Sequence, residues 1–263
     1  MRRLLLPLAL GLGLAPWHAA RAAGDLAALA FTQRPGAALP YDAPLVDEAG
    51  RATTLRAASG GLPLVLVPGY FRCPNLCGTV RGDVLQALAR SGLVAGRDYA
   101  LAAVTIDPAE TSATAATVRR DELTEFPLPG GAERAHYLTG PQPSLDAIAA
   151  AAGFHARYDD KLKQFMHPAG VVTATPDGTV AGYVLGVGYA PGALAEAVGQ
   201  ARRGVPLLAR PILLLCFHVE EATGRYTPDV MKLLRLGSVL TVLTLGGALW
   251  LAHRPGPAKG GAP

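Results

Sequence analysis

The chain has 263 residues, carries 24 basic and 20 acidic side chains for a net charge of +4, and is 50% hydrophobic and only 17% charged. That balance excludes a disordered chain and suits one packed domain with apolar targeting or membrane segments beside it. The basic residues are scattered and not interleaved with aromatics, which leaves nucleic-acid binding without support, and three cysteines are too few for a disulfide-stapled scaffold.

Residues 1–22 read as a signal peptide. Arg2 and Arg3 precede an apolar run over 4–17, and Ala20-Arg21-Ala22 supplies small residues for cleavage. A domain is expected over 24–205. It opens with an irregular lead-in over 27–40 and a short strand over 45–51 that ends in a turn at Gly50. The apolar run 62–67, bounded by glycine and proline, predicts a fully buried strand. Val80, Val84, Leu85 and Leu88 have helical spacing. A strand is expected over 99–106, a helix over 114–123, a short strand over 136–138, and a helix over 143–152 closed by Gly153. Residues 170–175 and 180–185 flank Pro176-Asp177-Gly178-Thr179 and predict a hairpin, followed by a helix over 194–202. Strand, helix, strand, helix, then a hairpin and a helix is the element order of an α/β thioredoxin-like domain, with a central sheet flanked by helices.

The C-terminal part divides differently. Residues 206–232 form an apolar and amphipathic linker. Residues 236–252 contain no charge, and extending back to 233 adds only Arg235. Twenty helical residues at about 1.5 Å each give about 30 Å, which predicts a transmembrane helix over 233–252. Trp250 stands near one end, where interfacial aromatics belong. Lys232 and Arg235 on one side balance Arg254 and Lys259 on the other, so flanking charge does not orient the span. The signal peptide does: the domain is expected outside the cytoplasm, with 253–263 as a cytoplasmic tail.

Cys73-Pro74-Asn75-Leu76-Cys77 follows the first buried strand at once. Proline favours the first helical position, which puts Cys73 at an N-cap and Cys77 four residues on, on the same helix face. A helix N-terminus lowers thiol pKa values, so two convergent thiolates are expected. Such a pair suits Cu(I), zinc or an iron–sulfur cluster, and it equally suits a local disulfide; spacing leaves the metal and redox readings nearly even. A third ligand would come from elsewhere. His167 stands just before the hairpin, in a loop that a thioredoxin-like sheet lays beside the first helix, whereas His136 and His155 read as structural or surface residues. Cys216 and His218 share a side if their segment is extended, but read more simply as residues buried beside the apolar run 212–215.

The segments Val67-Pro68-Gly69-Tyr70-Phe71-Arg72-Cys73-Pro74-Asn75-Leu76-Cys77, Val104-Thr105-Ile106-Asp107-Pro108, Leu138-Thr139-Gly140, and Met166-His167-Pro168 followed by Thr175-Pro176-Asp177-Gly178 fall in order. Together they resemble the SCO/SenC family. The resemblance implies a thioredoxin-like fold that binds copper, favoured as Cu(I), through Cys73, Cys77 and His167. It implies a chaperone or thiol reductase for the Cu(A) centre of cytochrome c oxidase, or for another periplasmic copper protein. Asp107 matches an acidic residue near the family's site, placed beside the ligands or facing a partner, and it reads equally well as a turn residue before Pro108. The chain departs from the family pattern at Asn75 and Gly78, where an acidic residue and often a proline are usual, and in carrying its anchor at the C-terminal end.

The expectation is therefore a membrane-tethered, extracytoplasmic copper-binding assembly factor. The alternative is a membrane-anchored periplasmic thiol–disulfide oxidoreductase in which Cys73 attacks and Cys77 resolves. A peroxidase reading is weaker, because Arg72 is the sole arginine near the cysteine pair.

Overall fold

Apolar runs alternate with glycine- and proline-marked turns, and the backbone follows that alternation. The computed structural model describes residues 30–73, 77–161, 163–204, 219–220, 225–226 and 228–252. They fall in two units, Asp25–Ile212 on the one hand and Met1–Gly24 with Leu213–Pro263 on the other.

In the first unit, β1 (Leu45–Val46) and β2 (Ala52–Thr53) form a small antiparallel hairpin. The single strand expected over 45–51 is thus two short ones. Asp47 breaks it by accepting the Ala49 and Arg51 N–H groups at 2.9 Å each, and Gly50 takes φ 78°. Helix α1 (Leu55–Ser59) follows, with the Thr54 hydroxyl accepting Ala57 N–H as its N-cap. It was not anticipated, because five residues give too little periodicity to read. Then come β3 (Leu64–Gly69), α2 (Cys77–Ala89), β4 (Ala100–Thr105), α3 (Ser112–Glu125), β5 (Ala135–Leu138) and α4 (Gln142–Ala151). A second hairpin, β6 (Arg157–Asp159) and β7 (Gln164–Met166), is also new. Its strands pair only with each other, so no buried face marked them in the sequence. β8 (Gly170–Ala174), β9 (Val180–Leu185) and α5 (Pro191–Arg203) complete the domain close to their expected bounds.

The main sheet has the order β5-β4-β3-β8-β9. β3, β4 and β5 run parallel, β8 pairs antiparallel with β3, and β9 pairs antiparallel with β8, which returns it to the direction of β3. Every residue of β3 and β4 is buried, as central strands covered on both faces require. The two-residue period sorts them between two cores. Leu64 and Leu66 pack with Leu55, Leu145 and Ile148 on one face. Val65 and Val67 pack with Val80, Val84, Leu85 and Leu88 of α2 and Leu194 and Val198 of α5 on the other. Each such side chain contributes about 1.5–3 kcal/mol on burial. The outcome is the mixed-sheet, thioredoxin-like α/β architecture read from the element order.

In the second unit β10 (Val219–Glu220) and β11 (Arg225–Tyr226) pair antiparallel, and α6 spans Pro228–Ala252. A helix is present where a span was expected over 233–252. Among the described residues no helix is long and apolar enough to cross a membrane; the side chains of 228–234, 248 and 250–252 are outside the described set. Described apolar side chains of α6, including Leu236, Val239, Val242 and Leu243, are exposed. The expected signal peptide, the rest of the expected linker and tail, Cys216 and His218 lie outside the described residues.

Candidate metal centre

β3 delivers the cysteine segment to the C-terminal edge of the sheet. The Gly69 carbonyl accepts Ile106 N–H at 2.7 Å, the last rung between β3 and the end of β4. Beyond it Tyr70 and Phe71 are buried, Arg72 is exposed and Cys73 is half-buried. Glu110 fixes this exit. Its side chain has no exposed surface, and its carboxylate accepts Phe71 N–H at 2.8 Å, Arg72 N–H at 2.7 Å and the Thr105 hydroxyl at 2.5 Å. The two residues before Cys73 are thereby clamped to the turn after β4. Sequence reasoning missed Glu110. The signal was an acid at the end of Asp107-Pro108-Ala109-Glu110, where Glu110 N–H returns to the Asp107 carbonyl at 3.1 Å.

Helix α2, as described, opens at Cys77, which is 4% exposed. The N-cap expected at Cys73 depends on Pro74, Asn75 and Leu76, which lie outside the described residues. His167 arrives from the opposite direction. β8 is antiparallel to β3 with Leu66 opposite Val172, so the residues just ahead of β8 stand over the C-terminal end of β3. The β6–β7 hairpin carries the chain there, and His167 follows Met166 directly.

His167 Nε2 lies 2.9 Å from Cys77 Sγ, and Nδ1 lies 2.9 Å from the Pro168 carbonyl oxygen. A carbonyl only accepts, so Nδ1 carries the ring proton and Nε2 presents its lone pair to the thiol, which donates. The imidazole is held between aromatic neighbours, with centroids 5.8 Å from Tyr70 and 5.4 Å from Phe154.

Cys73 and Cys77 are not joined in a disulfide. The low-pKa pair expected from a helix N-terminus is not what Cys77 shows. A hydrogen bond with Cys73 and then burial push its thiol well up, and the nearby Arg81 charge opposes that only in part. The hydrogen bond with Cys73 and the burial together outweigh the groups that lower it. Arg81, one turn after Cys77, is buried with 6% side-chain exposure. Its guanidinium pairs with Glu122 at 2.9 Å, donates to the Tyr70 carbonyl at 3.1 Å and lies 5.6 Å from the Phe71 ring centroid. Tyr137 Oη donates to the same Glu122 at 2.6 Å. One buried cation thus ties α2, α3 and the loop before Cys73 together. A small pocket lined by Cys77, His167, Val80 and Arg81 among others opens beside these groups.

The donors suit a soft cation by their chemistry, since two sulfurs and an imidazole nitrogen neighbour one another at one sheet edge. As the side chains stand they are joined by hydrogen bonds. Among the described residues no group of three or more His, Cys, Asp or Glu is arranged around a metal position. Two ligands sharing an ion, with bonds of about 2.0–2.3 Å, sit roughly 3.5 Å apart. The 2.9 Å contact between Cys77 and His167 is short of that by well under 1 Å.

The family model for SCO1/SenC matches residues 33–201, which include the whole sheet and all three candidate ligands. This chain belongs to the SCO1/SenC family. Solved structures agree on the fold. A protein from Aquifex aeolicus VF5, described in connection with electron transfer, superposes with a TM-score of 0.57 at 23% identity, over 65% of this chain and 95% of its own. Arabidopsis thaliana ScoI, solved with copper bound, gives 0.50 at 16% identity over 65% and 99%. A SCO1/SenC family lipoprotein from Bacillus anthracis str. Ames gives 0.51 at 13% identity over 66% and 98%. A search of curated proteins gave no match.

Asp107 is half-buried, and its carboxylate accepts Ala109 N–H at 2.9 Å in the turn before Glu110. His136 faces Glu48 at 3.5 Å and His155 bonds Thr32 at 3.0 Å, both away from the cysteines. The exposed Arg72 guanidinium turns to the Ala109 carbonyl at 3.4 Å rather than over a sulfur.

Proposed function

We propose that this SCO1/SenC protein binds copper as cargo, as Cu(I), through Cys73, Cys77 and His167, and acts as an assembly factor that passes the ion to an acceptor. The observation that carries this reading is the 2.9 Å contact between His167 Nε2 and Cys77 Sγ, made across ninety residues of sequence. A structural histidine has no reason to aim its lone pair at a buried thiol. The copper bound in the Arabidopsis relative supports the same cargo. In this reading the two thiols give up their protons, His167 offers Nε2, and Pro168 keeps the ring oriented through Nδ1. Three ligands leave the ion open to attack by the acceptor's thiols, so exchange and not turnover is the chemistry. The acceptor proposed is the Cu(A)-bearing subunit of cytochrome c oxidase or another periplasmic copper protein.

The same reading holds the domain outside the cytoplasm, tethered through the charge-free run of 236–252 and exported by residues 1–22. External protease should therefore degrade the domain in spheroplasts; a protected domain sinks this part of the reading.

Anaerobic Cu(I) titration of the full chain against a chromogenic chelator tests the site. Cys73→Ala and His167→Ala should each weaken binding by about tenfold to a hundredfold, since each removes a ligand. Unchanged affinity in both overturns the assignment.

A second reading has its own support. Cys73 is half-buried while Cys77 is buried against it. A substrate disulfide would be attacked by the accessible sulfur; the buried one would then close an intramolecular disulfide, and the substrate would leave with both electrons as a dithiol. Metal-free reductase turnover that persists in His167→Ala would favour it over copper transfer.

A further inference from the structure

The His167 imidazole packs on the Phe154 ring, with centroids 5.4 Å apart. Phe154 is 3% exposed and its side chain has no polar group, so packing alone can hold it in place. Phe31, from the lead-in at the start of the domain, meets Phe154 edge-on, with centroids 5.2 Å apart and planes at 67°.

Phe31 bears on the strand after His167 as well. Gly170 opens β8, and a Cβ there would stand 2.8 Å from Phe31 Cε2 and 3.3 Å from the Val184 carbonyl oxygen. Glycine weakens a buried strand, and at 170 it lets an aromatic edge lie against the backbone. One side chain therefore supports both the ring packed on His167 and the strand that begins three residues after it.

The lead-in is fixed where it carries Phe31. Thr32 N–H donates to the Gly153 carbonyl at 2.8 Å. Arg34 N–H donates to the Tyr183 hydroxyl at 2.9 Å, and that hydroxyl donates to the Ala152 carbonyl at 3.1 Å. The Tyr183 ring is also edge-on to Phe31 at 5.8 Å. The lead-in thus grips the residues just before Phe154. The rings and backbone groups in this series of contacts are uncharged, so what they transmit to His167 is position.

We propose that Phe31 is a positioning residue for His167: through Phe154 and Gly170 it keeps the imidazole turned toward Cys77, so that the N-terminal lead-in completes the copper site. This rests on the copper reading above and adds what holds the histidine ready. Without Phe31 the imidazole samples other rotamers, and binding must then order it, which weakens the ligand.

The test uses Phe31→Leu in the full-length chain, which keeps apolar bulk and removes the aromatic edge. Anaerobic Cu(I) affinity is measured with and without His167→Ala. Phe31→Leu alone should weaken binding about tenfold, as loss of a ligand's outer support does. In the His167→Ala background it should change affinity by less than about twofold, because the group it positions is gone. The metal-free chain with labelled histidine gives a second readout. Nuclear Overhauser contacts from the His167 ring to the Cys77 β protons should be present in wild type and weakened in Phe31→Leu. Equal losses in the two backgrounds would show that Phe31 acts on the fold at large and would overturn the inference. Unchanged affinity without His167→Ala, or unchanged ring contacts in the metal-free variant, would overturn it too. In each of these cases His167→Ala alone still weakens binding, so the copper reading stands. A wild type that binds no Cu(I), or His167→Ala that binds it as tightly as wild type, overturns the copper reading and the inference with it.

Discussion

Replacing Glu110 by Ala would strand the Phe71 and Arg72 N–H groups and the Thr105 hydroxyl without their buried acceptor. We expect Glu110→Ala to lose about 2–4 kcal/mol, and Glu110→Gln, which keeps one acceptor oxygen, about half of that. Urea unfolding of the metal-free chain checks both, and a loss below about 1 kcal/mol for the alanine variant would show that the clamp is not structural. At this scale the ligand candidates were legible and their supports were not. Cys73, Cys77 and His167 stand out because sulfur and imidazole are rare in the chain and their chemistry is local to the side chain. Glu110, Arg81 and Tyr70 read as an ordinary acid, base and aromatic. What sets them apart is burial and the partner each faces, and neither is a property of the residue type. The raised Cys77 thiol makes the same point: the spacing suggested a helix end that lowers a pKa, and the hydrogen bond with Cys73, followed by burial, pushes it the other way.

Among the elements, the strands of the main sheet were the most legible because both faces of β3 and β4 are buried, which leaves uninterrupted apolar runs. The β6–β7 hairpin was invisible for the opposite reason, since Tyr158 is 45% exposed and no strand of the main sheet pairs with it. Yet that hairpin is what delivers His167. The end of α4 matters in a similar way. Gly153 takes φ +63°, and a Cβ there would stand 1.8 Å from the Thr32 carbonyl oxygen. Thr32 N–H also donates to the Gly153 carbonyl at 2.8 Å. The contact pins the lead-in, whose Phe31 packs on Phe154, the ring beside His167. Gly153→Ala should therefore lose about 3 kcal/mol, read as a melting temperature lower by about 6–12 °C in calorimetry. A shift under about 2 °C would mean that the lead-in can move aside at little expense.

The whole domain should weaken in acid by a route far from the cysteines. Burial alone would raise the Glu48 carboxyl, but hydrogen bonds from His136 and from the Tyr137 N–H hold it down at about 2 from an ordinary 4.5. Arg119 at 3.3 Å adds a partner for the same carboxylate. The folded state thus binds this proton less readily than the unfolded chain. Its contribution is fully present above about pH 4.5 and is lost as pH falls toward about 2. Solvent screening leaves about 1–2 kcal/mol of it. Asp98, which Arg97 and Arg202 hold below the usual carboxylate range, acts in the same direction. Urea midpoints measured from pH 6 down to pH 2.5 should fall for wild type and fall less for Glu48→Gln; parallel curves would exclude Glu48 as a source.

By itself the sequence determined the fold class, the order of the sheet elements and the three soft donors, because each depends on residue type and short-range period. It also carried the apolar run behind the proposed tether, since length and lack of charge are read directly from composition. Tertiary structure alone decided that His167 meets Cys77 and that Glu110 and Arg81 hold the loop before Cys73. The meeting of His167 and Cys77 rests on antiparallel β8 bringing residue 167 back over the end of β3, a contact between positions ninety residues apart that no local pattern encodes. The Cys73–Cys77 segment leaves copper and disulfide chemistry tied when read alone, and the histidine set against its buried thiol is what the copper proposal adds.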